Sequence, residues 1–452
     1  MQLFLDITRI ACRLTGTTPT GIDRVEHAYA TRTLRDPAFR DTICVFTAPF
    51  FTGALRRDLM LRVLDRISIA WRLNMPAEED AVYRKLRDYL RSPIDAGIVK
   101  RRFRDEDRLG RLRRNMLYPV RDLIRSPTRL QRWLKRTAGQ QHCYLNVSHN
   151  QLETPERLAW ARPPLTQSVF FIHDTIPIDY PEFVAPGAPA RHERRMTTTA
   201  AMASLVIVNS HTTRRHLESY LSANRQPIPP IDVIPLGVAQ SFLNLAATRR
   251  CPQPETYGVP PVAGHPYFVT LSTIEPRKNL LFLFTVWRRL IERLGPRTPR
   301  LVVTGQRGWE NENIADVLER SRELGPFLVE ASDLCDDALA RLLHGATALI
   351  QPSTTEGFGL PLVEGLTLGI PVLASDIDAH REVSAGYARL IDPIDGCQWL
   401  ETIERLADPS TGLATEQRKA VASYVPMTWD AHVDAALAAI GSRIKTRANE
   451  PP

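Results

Sequence analysis

Short apolar runs alternate with longer amphipathic stretches along most of the chain. Residues 3–5, 43–46, 169–172, 205–208 and 233–235 form one series of expected strands. Residues 267–271, 301–304, 327–329, 348–351 and 372–374 form a second. Helical periodicity fills the gaps, for example over 280–294 and 336–344. Buried apolar strands alternating with helices predict parallel α/β layers. Two such series predict two doubly wound, Rossmann-like domains, at 1–240 and 263–425. A linker at 241–262 joins them, inside a seam (237–264) broken by Pro252, Pro254, Pro260 and Pro261. Residues 55–136 fit neither series and are read as a mostly helical insertion in the first domain. The tail, 426–452, carries one more amphipathic helix through Trp429, Val433, Leu437 and Ile440, expected to pack back on the first domain.

Composition narrows the class. At 452 residues the chain is too long for one ordinary core. No run approaches the roughly 20 apolar residues that span a bilayer. The first residues carry Asp6 within an apolar stretch and lack a basic lead, so they read as a strand and not a signal peptide. Six scattered cysteines form no C-x-x-C pair, which fits a reducing cytoplasm. The net charge of +8 is concentrated: residues 101–136 hold twelve arginines and one lysine against four acids. That segment reads either as a solvated helical face or as a peripheral contact with anionic membrane, where each cation contributes about 1 kcal/mol. Pro119 and Pro127 argue against one long helix across it. The charge is too localised for a nucleic-acid binder, which needs aromatics interleaved on the same face.

Four segments carry candidate chemistry. In Glu356-Gly-Phe-Gly-Leu-Pro-Leu-Val-Glu364, two carboxylates flank a Gly-x-Gly turn. Its glycines permit close backbone approach to a ligand, Pro361 suits a helix start, and helix N–H groups suit phosphates. In Ser272-Thr-Ile-Glu-Pro-Arg-Lys-Asn279, Asn279 is placed as an N-cap. Arg277 and Lys278 then stand at the positive end of a helix, unfavourable by about 0.3–1 kcal/mol each unless an anion joins them. His173 and Asp174 close an expected strand, where open α/β sheets bind ligands. The fourth, Thr15-Gly-Thr-Thr-Pro-Thr-Gly-Ile-Asp-Arg24, is a strand-to-helix loop able to offer N–H groups to phosphate. It is neither a dinucleotide nor a Walker A motif. Each segment also has a plain structural reading: a capped loop, a packed histidine, a surface charge.

Taken in order, the chain resembles the retaining group 1 (family 4) glycosyltransferases of GT-B fold. The match is dense over Thr273 to Asn279, Thr304-Gly-Gln-Arg-Gly-Trp309, Gln351-Pro-Ser and Glu356 to Glu364. It is looser at Asp6-Ile-Thr-Arg9, Thr20-Gly-Ile22, His173 to Pro177, Asn209-Ser210 and Ile234-Pro-Leu-Gly237. It covers most of the chain except the basic insertion. The resemblance implies that Arg277 and Lys278 hold a donor diphosphate, Glu364 the ribose, and Glu356 the sugar. His173 would lie over the sugar near the reacting carbon. The N–H groups of Phe358, Gly359 and Leu360 would contact sugar and phosphate, and the base would lie near 328–331. Gly16, Gly21, Ser272 and Gly305 complete the implied binding set. Relatives often carry a further cation a few residues before Glu-Pro-Arg-Lys; here Ser272 and Thr273 stand there.

The motif forms resemble those of bacterial polysaccharide mannosyl- and rhamnosyltransferases. They imply a GDP-linked sugar as donor substrate and a glycan or lipid-linked acceptor. No D-x-D sits at a suitable strand end, so the expectation is catalysis without a metal and without a separate cofactor. Two rival readings remain: a nucleotide-sugar-hydrolysing epimerase of the same architecture, and a non-catalytic basic binding protein.

Overall fold

The computed structural model describes residues 2–13, 18–48, 51–94, 102–107, 128–163, 165–248 and 265–448. It has two lobes, each built on one sheet. The first sheet runs β5-β3-β2-β1-β6-β7-β8-β9. Its strands are β1 (Gln2–Asp6), β2 (Ile43–Ala48), β3 (Phe51–Leu55), β5 (Thr128–Arg129), β6 (His142–Asn146), β7 (Thr166–Ile172), β8 (Ala203–Val208) and β9 (Ile231–Val233). All pairings are parallel except those of β3, which is antiparallel to β2 and β5. The second sheet is parallel throughout, in the order β15-β14-β13-β10-β11-β12-β4. Its strands are β4 (Arg102–Phe103), β10 (Tyr267–Leu271), β11 (Arg300–Thr304), β12 (Leu328–Ala331), β13 (Ala348–Gln351), β14 (Val372–Ser375) and β15 (Arg389–Ile391). This is the expected pair of doubly wound layers. Each sheet reverses strand order at one point, between β1 and β6 and between β10 and β13, and doubly wound sheets bind ligands at the carboxyl ends of the strands there.

The expected strand at 233–235 lies two residues earlier, at Ile231–Val233, and 327–329 shifts to Leu328–Ala331. Five strands carried no strong apolar run: β4 and β5 are two residues long. β3 contains Gly53; β15 is three residues long; β6 is bounded by His142 and Asn146. Tertiary partners make β6 buriable. The Asn146 side chain donates to the Tyr144 hydroxyl (3.2 Å) and to Asn150 O (2.8 Å).

The insertion differs from the expectation of a helical element confined to the first domain. The helix Arg57–Ala70 does pack on the first lobe, against the helix Gly21–Arg35. The chain then crosses over. The helix Ala81–Arg91 lies against the helix Asp336–His344, and β4 joins the edge of the second sheet beside β12. The buried Arg300 side chain donates to Leu90 O (2.9 Å) and Ser92 O (2.7 Å) and sits 4.7 Å from the Tyr89 ring centroid. Asp80 accepts from Cys335 N at 2.8 Å. The ion pair Arg341–Glu78, which joins the second lobe to the insertion with the Glu78 side chain exposed, contributes about 0–1 kcal/mol. Val82, Leu86 and Leu90, buried in one cluster with Leu339, Leu342 and Leu343, contribute about 1.5–3 kcal/mol each. Apolar packing therefore holds the insertion to the second lobe. Of the basic run, residues 108–127 lie outside the described residues, and Arg102 is engaged by Glu330 at 3.1 Å.

The helix Trp429–Ala448 returns to the first lobe. Val433, Ala436 and Ile440 are buried, Arg32 pairs with Asp434 at 2.9 Å, and the His432 ring bonds Pro235 O at 2.7 Å. One apolar cluster runs without a break from Leu5 and Val25 in the first lobe to Val269 and Leu349 in the second.

Candidate active site

The loops after β10 and β13 meet at the strand-order reversal of the second sheet. Pro276–Lys278 forms a single 3-10 turn, and Asn279 follows with φ +55°. Asn279 does not cap the helix Leu280–Leu294 through its side chain, as the sequence suggested. Its value is the left-handed backbone, which asparagine tolerates better than most residues, and its amide donates to Pro393 O at 3.2 Å. The turn aims both cations at the next loop. Arg277 Nη1 lies 2.6 Å from Glu356 Oε2, and Lys278 Nζ ion-pairs with Glu356 Oε1. Arg277 Nε pairs with Glu275 at 2.6 Å, and Ser353 Oγ donates to Glu356 at 2.8 Å.

The anion balancing these cations is thus the protein's own. Burial alone would raise the Glu356 carboxyl. Arg277 and Lys278 outweigh it and hold the group well below the usual carboxylate range. Glu364, on the helix Leu360–Thr367, is buried too but shifts the other way: burial pushes its carboxyl up to about 8, Asp336 adds to the rise, and Arg24 opposes it. One acid is ionised and clamped; the other is poised near neutrality.

Across the cleft, the His173 ring is buried beside Phe171 and His149 and bonds Val147 O at 2.8 Å through Nε2. Burial takes its pKa down to about 3, so it is a neutral imidazole. Gly357 lies directly on its carbonyl: a Cβ there would come within 2.6 Å of His173 O. Gly305, after β11, has φ +145°, and a Cβ would meet Ser272 O at 1.8 Å. Both positions therefore require glycine. Gly359 precedes the helix Leu360–Thr367 at φ +94°, Phe358 is buried, and Leu360 opens the helix with Pro361 next. Gly21 is the first residue of the helix Gly21–Arg35, capped by Thr20 and Asp23; a Cβ there would meet nothing within 4 Å. Gly16 lies outside the described residues. The structure thus brings Arg277, Lys278, Glu356, Gly357 and His173 together, with Glu364 on the helix Leu360–Thr367 that follows Gly357.

Residues 265–408 match the family model of the group 1 glycosyl transferases. The similarity to the group 1 glycosyltransferases thus rests on that part of the chain. The serotype-specific mannosyltransferase WbdA of Escherichia coli is 27% identical over 259 residues, 53% of this chain and 30% of that protein. The O-antigen chain mannosyltransferase B of Escherichia coli is 26% identical over 231 residues, 51% of this chain and 58% of that one. The chain therefore spans less than two thirds of either relative. Among solved structures, Anabaena HepE in complex with UDP is 13% identical with a TM-score of 0.54, covering 98% of this chain and all of that one. The Burkholderia xenovorans trehalose-phosphate synthase (UDP-forming) gives a TM-score of 0.56 at 13% identity over 98% of this chain and 100% of that one. These likenesses concern the fold, which is GT-B.

In this glycosyltransferase fold the two lobes touch around the cleft. Ser210 Oγ donates to Gly357 O at 2.7 Å, and Glu382 accepts from His211 N (2.6 Å) and Thr212 N (2.9 Å), capping a first-lobe helix from the second lobe. Arg24 grips Asp336 through two bonds of 2.8 and 2.6 Å. Trp309 Nε1 donates to Phe183 O at 2.9 Å. Sequence reading missed these pairs because each joins residues more than a hundred positions apart. It also missed His380. That ring is buried beneath Gly359, its Nδ1 bonds Ser375 O at 2.9 Å, and its Nε2 has no partner among the described residues. Only Glu275 was within reach, since it stands in the Glu-Pro-Arg-Lys motif itself. Among the described residues no helix is long and apolar enough to cross a membrane, and no three His, Cys, Asp or Glu side chains cluster as metal ligands.

Proposed function

We propose that this chain is a retaining hexosyltransferase that moves a mannose- or rhamnose-type sugar from a nucleoside-diphosphate donor, GDP-linked by preference. The acceptor is a growing cell-surface glycan or lipid-linked saccharide. One observation carries the reading: two cations and a clamped carboxylate converge at a strand-order reversal, under the carbonyl of a neutral histidine from the opposite lobe. The names of the relatives, serotype-specific and O-antigen chain mannosyltransferases, support the sugar and the acceptor class.

Loss of a nucleoside diphosphate builds negative charge on phosphate oxygens and positive charge on the sugar. In the proposed reaction Arg277 and Lys278 release Glu356 in part and take the diphosphate, so charge neutralisation needs no metal ion. Glu356 then turns to sugar hydroxyls, and the first N–H groups of the helix Leu360–Thr367 complete the phosphate shell. Glu364, at a pKa near 8, accepts ribose hydroxyls once the nucleotide covers it. Contacts across the cleft exclude water from the reacting carbon.

The test is to incubate the purified chain with GDP-mannose and a panel of UDP-, ADP- and dTDP-sugars, with and without a mannosylated acceptor and with and without EDTA. Transfer from a GDP-sugar, unaffected by EDTA, with the α-configuration kept in the product by NMR, is the expected result. Sugar release that ignores the acceptor would replace the transferase with a hydrolysing enzyme.

A further inference from the structure

A cavity of about 540 Å³, lined by none of Arg277, Lys278, Glu356 and His173, lies where the helix Gly21–Arg35, the crossover into the insertion, the helix Gln240–Thr248 and the start of the helix Trp429–Ala448 meet the second lobe at Asp336. Its size falls within the roughly 300–1,000 Å³ of small-molecule sites. Two indoles, Trp71 and Trp429, and three amides, Asn74, Gln240 and Asn244, line it. His27 and Thr31 also line it, and each carries a buried polar atom, Nε2 and Oγ1, with no hydrogen-bond partner among the described residues.

Of the charged groups lining it, Asp430 is exposed to solvent and the others are engaged within the protein. Arg24 is held by Asp336, Arg32 by Asp36 and Asp434, and Asp337 by Arg341 and Ala77 N. An anion therefore finds no free cation among these groups. His27 adds no charge, because burial lowers its pKa to about 4. What is left is aromatic surface with neutral donors and acceptors. Gln240 Nε2 is bonded to Asn244 Oδ1 at 2.7 Å, leaving the Gln240 carbonyl and the Asn244 amide N–H groups for a ligand. Such a surface suits a neutral, polyhydroxylated ring: its C–H face on an indole, its hydroxyls on amides.

We propose that this cavity is a second carbohydrate-binding site, which holds one or two sugar rings of a neutral glycan apart from the reacting centre. Its walls come from both lobes, so an occupied site would retain a glycan chain while the lobes meet over the cleft.

The test uses the full chain and two probes, an α-linked mannopentaose and GDP, by calorimetry. Wild type should bind both at once. Gln240→Ala with Asn244→Ala, two exposed positions on one helix, should weaken mannopentaose about tenfold, as the loss of two neutral hydrogen bonds implies, and leave GDP unchanged. Asn74→Ala, on a different segment, should act in the same direction. Lys278→Ala should do the reverse. Three results would overturn the proposal: no mannopentaose binding to wild type, binding indifferent to the cavity substitutions, or displacement of mannopentaose by GDP. Cavity-dependent glycan binding in a chain that binds no nucleotide would instead leave this site standing and overturn the transferase reading.

Discussion

Both lobes place buried acids at the reversal point of a parallel sheet, and they treat them in opposite ways. In the second lobe Glu356 is gripped by Arg277 and Lys278 and held ionised. In the first lobe Asp6 ends β1 and Glu26 lies beside it on the neighbouring helix, both fully buried. Burial, with Asp6 adding to it, raises Glu26 to about 8, and burial raises Asp6 to about 6. The nearest cations, Arg9 and Arg13, are spent on Asp23. Glu26 instead accepts from Ile10 N at 3.0 Å, and Asp6 from Thr8 N at 3.0 Å and the Tyr144 hydroxyl at 2.7 Å. The first-lobe acids act as hydrogen-bonding pegs that fix the short helix Thr8–Cys12 at the end of β1. The second-lobe acid is one member of an ion cluster whose partners can change. An exchangeable anion site belongs where a diphosphate must come and go; a peg belongs where a short helix must stay in place.

Four substitutions test that contrast. The largest effect is expected from Lys278→Ala. Loss of one transition-state cation should reduce kcat by about 10²–10³-fold, with a melting temperature close to wild type because Arg277 still pairs with Glu356. Wild-type kinetics would remove Lys278 from the chemistry. Glu356→Gln comes next and should destabilise the fold at pH 7 by about 3 kcal/mol, since it leaves buried cations short of a partner. The sign follows from the lowered pKa: the carboxylate's contribution is full above its unfolded value of 4.5 and is lost as pH falls below it. The gap between variant and wild type in thermal melts should therefore be constant above about pH 5 and narrow progressively as pH falls below 4.5 toward the much lower folded value.

Glu26→Gln should show the opposite slope. A carboxyl raised from 4.5 to about 8 holds its proton in the folded state and loses it unfolded. Wild-type stability should fall as pH rises through that window, and the glutamine variant should gain on it by on the order of 2 kcal/mol between pH 5 and pH 8. Parallel melting curves would show that Glu26 is not a protonated peg. The smallest effect is expected at Arg215, which pairs with Asp378 across the lobes at 3.0 Å with both side chains half exposed. Arg215→Ala should change stability by less than about 1 kcal/mol and vanish in high salt. A larger loss would mean that surface charge, not buried packing, holds the lobes together.

The chain's own order of residues determined the two parallel layers, the loops that follow β10 and β13, and the placing of Arg277 and Lys278 in the loop at the end of β10. These are local matters. Apolar runs set strands, glycine and proline set turns, and a strand-end loop in a doubly wound sheet faces the cleft whatever its partners are. Tertiary structure alone decided the rest. It made Glu356, not a ligand, the counter-ion of the two cations. It separated two acids eight positions apart, Glu356 and Glu364, into one ionised and one near neutrality. It carried Ala81–Arg91 and β4 across to the second lobe, and it set His380 under Gly359. The physical reason is common to all four. Burial and charge pairing depend on which distant surfaces the fold presses together, and a side chain's effect on its neighbours is set by that dielectric and that distance, neither of which is written in the spacing of residues.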